Sequence, residues 1–144
     1  ELIKRSGEFV INLVPAPLIR AMDTCGVKSG REIDKYKEMH LTPESASQVS
    51  APMIAECPVS LECKVHSITP LGSHEMFLAE IVAVQVDEDY LDSKGKLHLE
   101  RMGLTAFAHG GYYTLGKPAG TFGFSVRKKR HLSARRPAGR ERKR

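Results

Sequence analysis

A change of period after Pro52 constrains this chain more than any other feature. In "VSLECKVH", residues 59–66, Val59, Leu61, Cys63 and Val65 alternate with Ser60, Glu62, Lys64 and His66. Apolar side chains at every second position describe a strand with one face on a core. "MFLAEIVAVQV", residues 76–86, is apolar almost throughout. That pattern predicts a strand covered on both faces, as in a barrel or against a dimer partner. "TPLGSH" and "DSKGK" predict turns on either side of it, and "LTAFAH" and "TFGFSV" read as two further strands.

Before Pro52 the pattern is mixed. Residues 8–14, "EFVINLV", predict another strand. Leu18, Ala21, Met22 and Cys25 fall at i, i+3, i+4 and i+7, one face of a helix, with Gly26 as a plausible stop. Ser29 and Glu32 have the spacing of a capping box and predict a second helix, with Ile33 and Tyr36 on its buried side. Thr42, Pro43 and Glu44 read as the start of a third, with Pro at its first position. The sum is a mainly β fold with inserted helices. Closing such a sheet into a full or partial barrel removes its exposed edges.

Charge divides the chain in two. Ten of the 22 Lys and Arg residues lie in residues 127–144, with only one of the 17 acids. Residues 1–126 then carry 12 basic and 16 acidic side chains, a net of −4. The basic segment 127–144 has no periodic apolar face and is expected to be disordered. Nucleic-acid binding through it is disfavoured, because the body is acidic and offers no interleaved aromatic platform. Cys25, Cys57 and Cys63 make no even disulfide framework and no common zinc spacing, so reduced thiols and a cytoplasmic location are expected. No apolar run approaches the ~20 residues of a membrane span.

Motifs for chemistry are mostly excluded. "GYYTLGKP" has the spacing of a phosphate-binding loop, but Pro118 stands where Ser or Thr should hold magnesium. "HEMFLAE" lacks the second His of a zinc helix. Arg31 and Lys35 are four apart, and like charges at that spacing repel by ~0.2–0.5 kcal/mol unless an anion lies between them. Neutralisation by Glu32, Asp34 and Glu38 on a wet surface is the simpler account of that spacing. His74 at a hairpin tip and Phe107 in an apolar strand read, taken singly, as a solvated turn residue and a core residue.

The chain as a whole resembles the flavin reductase-like, FMN-binding split-barrel family, in particular its flavoredoxin branch. The resemblance is carried by "FVINLVP", "SGREIDKY", "LTPESA", "ECPVSLEC", "GSHEMFLAEIV", "GKLHLERMGLTAF" and "GYYTLGKPAGTFGFSVRKK", and runs from Leu2 to about Lys129. It implies a split β-barrel over residues 1–126, lacking its first strands, because the family places a few tens of residues before the segment that opens this sequence. It implies an oxidoreductase that binds FMN non-covalently, usually as a homodimer with the flavin near the subunit interface. Electrons would come from NAD(P)H or a redox protein partner. By motif, Lys35 resembles the cationic FMN contact, with Tyr36 beside it. His74 resembles a polar contact to the cofactor and Phe107 an aromatic neighbour of the flavin. Arg31 falls on the phosphate side. The competing expectation is a truncated, non-catalytic split barrel that dimerises or binds a partner and has lost FMN.

Overall fold

The computed structural model describes residues 1–127. The basic segment beyond it, the predicted disordered tail, lies outside the described residues. The chain runs α1 (Leu2–Ser6), β1 (Glu8–Leu13), a 3₁₀ turn at Ala16–Leu18, α2 (Ile19–Val27), α3 (Lys35–Glu38), β2 (Pro43–Glu44) and β3 (Met53–Ile54). It continues through the long pair β4 (Val59–Pro70) and β5 (Glu75–Val86) to β6 (Thr105–Ala108) and β7 (Gly111–Thr114). The main sheet has the order β1-β4-β5, all antiparallel, and β2-β3 and β6-β7 form two small hairpin sheets.

The strand predicted at residues 8–14, the long hairpin and the helix at Leu18–Cys25 are present. Three other elements differ. Residues 29–34 form a turn, not a helix. Ser29 uses its carbonyl and hydroxyl to accept from Glu32, Ile33 and Arg31 N–H groups, and Asp34 takes over as the N-cap, accepting from Lys37 N. Ser-Gly is turn chemistry, and a serine that bonds its own local backbone competes with helix. Thr42–Glu44 is not a helix start either. Pro43–Glu44 pairs with Met53–Ile54, and Thr42 N donates to the Glu56 carboxylate. "TFGFSV" is no strand. Residues Phe124–Val126 form a 3₁₀ turn, and the last strand is "GYYT" instead.

The core lies at one end of the main sheet. Leu13, Val59 and Val86 share one rank of the ladder and pack with Met102, Leu104, Tyr90 and Leu97. The β6-β7 hairpin is fastened there. Thr105 donates from N and Oγ1 to Val14 O, and Ala16 N donates to Gly103 O.

The alternation in β4 works against expectation. Ser60 and Glu62, predicted to face water, are 3% and 0% exposed. The segment from Thr42 to Ile54 lies over them. Glu62 accepts from Ser47 N, Ser47 Oγ and Gln85 Nε2 through one oxygen, and from Gln48 N at 2.6 Å through the other. Asn12 Oδ1 accepts from Ile54 N and Ser60 Oγ, and Glu8 accepts from Ser50. Conversely, β5 is not covered on both faces within one chain. Met76, Leu78, Ile81 and Val84 are each more than half exposed. Beyond Lys64, β1 no longer flanks the hairpin, so β4 and β5 project as a bare two-stranded ribbon.

Candidate functional site

The predicted residues fall in three places. Arg31, Lys35 and Tyr36 come together, lining with Gly30, Glu32, Ile33 and Asp34 a surface hollow of about 520 Å³. His74 stands at the tip of the β4-β5 ribbon, and Phe107 lies on the β6-β7 hairpin. Neither lines that hollow.

The one-face argument for Arg31 and Lys35 does not hold, because Arg31 precedes the helix. What brings the two together is the turn from Ser29 to Asp34 followed by the single helical turn α3. A Schellman closure ends that helix: Leu41 N donates to Tyr36 O and His40 N to Lys37 O, with His40 in the left-handed region at φ 53°. Lys35 Nζ donates to Cys25 O at 2.5 Å, in the last turn of α2. That partner has no signal in the sequence, since it joins two helices across an irregular turn. An ammonium has three donors, so Lys35 keeps two for an anion. Arg31 is exposed and makes no ion pair among the described residues. Asp34 is spent on the α3 cap, and the hollow keeps Glu32 as its second acid. Tyr36 is part-buried, and burial raises its phenol above the usual value. It also borders a second hollow of about 470 Å³ between α1, β1 and residues 50–52.

His74 shares a 2.8 Å hydrogen bond between its Nδ1 and Ser73 Oγ and is open to solvent. The neighbouring Glu75 is paired with Lys4 of α1. Phe107 is not a core residue. It is 65% exposed and packs on Tyr112, ring centroids 5.1 Å apart. The Tyr112 hydroxyl donates to Asp23 on α2 at 2.8 Å, which raises its pKa and ties the small hairpin to that helix. Among the described residues no cluster of His, Cys, Asp and Glu could hold a metal, and no helix is long and apolar enough to cross a membrane.

A three-stranded antiparallel sheet extended by a long hairpin, with helices inserted after its first strand, is the split-barrel architecture of flavin reductases. The model of the flavin reductase like domain matches residues 1–116. The chain belongs to that family. Flavoredoxin of Desulfovibrio vulgaris (Miyazaki F) superposes with a TM-score of 0.79 at 28% identity, covering 87% of this chain and 68% of that one. Flavoredoxin from Methanosarcina acetivorans superposes at 0.74 with 30% identity, over the same shares. An uncharacterized protein of Archaeoglobus fulgidus is 33% identical over 93 residues, 65% of this chain and 52% of its own length. The chain spans about half the length of the curated relatives it matches.

Proposed function

We propose that this chain is the FMN-binding, electron-transferring part of an oxidoreductase, and that it works as a homodimer. The observation that carries the reading is the hollow at residues 30–36, which Arg31 and Lys35 line together. The residues present fit FMN at the phosphate end. Two cations with free donors suit a phosphate, since charge-assisted hydrogen bonds are the strong ones. At the ring end one copy is incomplete, because His74 and Phe107 lie away from that hollow. A second copy answers that gap. The ribbon bearing His74 presents Ile68, Leu71, Met76 and Leu78 to solvent, and an isolated two-stranded ribbon is at best marginally stable in water. Docking it on a partner buries those side chains and carries His74 toward the partner's hollow.

In this reading bound FMN supplies the redox chemistry, accepting electrons from NAD(P)H or from a redox protein and passing them on. The chain's own residues bind and orient it. Lys35 and Arg31 hold negative charge, Lys35 being fixed by Cys25 O. Tyr36 contributes a wall and its backbone, His74 a polar contact, and Phe107 an aromatic surface already braced by Tyr112.

Titration of the purified chain with FMN, followed by flavin fluorescence, is the test. Saturation at one FMN per subunit is expected. Lys35→Ala should weaken it ~10–100-fold, from a charge-assisted bond of ~1.5–3 kcal/mol. A folded chain that ignores FMN sinks the reading. It would favour a split barrel that only dimerises.

A further inference from the structure

A third hollow, of about 190 Å³, lies beneath α2 and shares no lining residue with the one at residues 30–36. Its walls are mainly apolar, with Val14, Leu18, Met22 and Ile54 among them, and Cys25 and Cys57 both line it. Cys25 is part-exposed near the end of α2. Cys57 is 8% exposed and its thiol has no hydrogen bond among the described residues. Cys63 is kept apart, its Sγ directed to Leu61 O within the sheet. Cys25 is also the residue whose carbonyl receives Lys35 Nζ.

We infer that Cys25 and Cys57 are a redox pair that closes to a disulfide under peroxide and so resets Lys35. The part-exposed Cys25 is the sulfur that peroxide reaches. Its thiolate attacks one peroxide oxygen, the O–O bond breaks, and hydroxide leaves, giving a sulfenic acid. Burial holds the Cys57 thiol up at about 11, so it is not the sulfur that peroxide oxidises, and it gives up its proton only as it attacks the sulfenic sulfur. Its sulfur displaces the sulfenic oxygen, which takes the thiol proton and departs as water. Two electrons pass from the two sulfurs to hydrogen peroxide, the named oxidant. A disulfide requires Cα atoms ~4.4–6.8 Å apart, so closure collapses the hollow and draws in the last turn of α2. Cys25 O moves with that turn, and the Lys35 bond is stretched or lost. The consequence for cofactor affinity rests on the flavin reading above; the disulfide and the lysine response do not.

The experiment treats the purified chain with hydrogen peroxide and maps its thiols by mass spectrometry. Acylation of Lys35 is measured before and after. The expected result is loss of two protons, a Cys25–Cys57 cross-linked peptide, a free Cys63, and Lys35 acylation that rises severalfold and returns with dithiothreitol. Cys25→Ser and Cys57→Ser should each abolish the response. Three intact thiols, a bridge to Cys63, or a Cys25–Cys57 bridge that leaves Lys35 labelling unchanged overturns the proposal. FMN titration of the reduced and oxidised forms is a separate readout. No binding in the reduced form sinks the flavin reading alone, whereas equal binding in both forms, with Lys35 labelling unchanged, sinks the switch.

Discussion

The two faces of the main sheet reverse the usual order. On one face stand Asn12, Ser60 and Gln85 in one rank and Glu62 in the next, all polar and closed over by residues 42–54. On the other stand Leu13, Val59 and Val86, covered by Met102 and Leu104, followed by Ile11, Leu61 and Val84, of which Ile11 and Val84 are 44% and 53% exposed. Each buried polar side-chain atom on the first face is satisfied, in part by backbone N–H groups of the covering loop. A loop must place its own backbone donors somewhere, and side-chain carboxylates on a strand are suitable acceptors. The polar face thus receives a loop, while the apolar face beyond Val59 stays open to solvent within one chain.

That contrast can be broken at its covered apolar end first. Met102 is 3% exposed. Met102→Ala should cost about 2–5 kcal/mol in urea unfolding, the range for truncating a buried aliphatic side chain. A loss below ~1 kcal/mol would mean that this end of the sheet is no true core.

Glu62 tests the polar face through pH. Burial alone would raise its pKa, but the hydrogen bonds from Gln85, Ser47 and Gln48 outweigh it and bring it to about 2 from 4.5. A depressed folded value means that the carboxylate stabilises the fold fully above its unfolded value. The contribution fades as pH falls below 4.5 and is gone near 2. The wild-type urea midpoint should drop across that window, and Glu62→Gln should start lower and flatten the profile. Parallel profiles for the two proteins would show that the Glu62 hydrogen bonds carry no stabilisation.

A smaller effect tests the turn that places Lys35. His40 pays for its left-handed backbone at the end of α3, where glycine carries no such strain. His40→Gly should be neutral to stabilising by about 0.5–1 kcal/mol. A clear loss would show that the imidazole, not the helix closure, matters there.

The smallest change in chain stability is expected on the bare face. Ile81→Lys should shift unfolding by no more than ~0.5 kcal/mol at low protein concentration, as for other exposed sites. The same change should shift sedimentation from dimer to monomer. A dimer that survives it would remove β5 from the proposed contact.

Much of the fold was legible in the sequence because it depends on local periodicity. The period-two run at residues 59–66, the hairpin at Leu71–His74 and the helical face of Leu18, Ala21, Met22 and Cys25 need only the chain's own geometry. That helical face does line one hollow, as its spacing implies. The resemblance carried by "SGREIDKY" and "GSHEMFLAEIV" led to the right family, and of the five residues it singled out Arg31, Lys35 and Tyr36 line one hollow. Other features were out of reach. Nothing local says that Ser60 and Glu62 will be roofed by residues 42–54, because alternation reveals that two faces differ and not which will be covered. Nothing local joins Lys35 to Cys25 O, or turns Phe107 out of a core and onto Tyr112. The sequence by itself thus determined the three strands of the main sheet, the main helix and the family. Tertiary structure decided which face is inside, how the cations meet, and where a surface is left bare, because burial and hydrogen bonding depend on segments far apart in the chain.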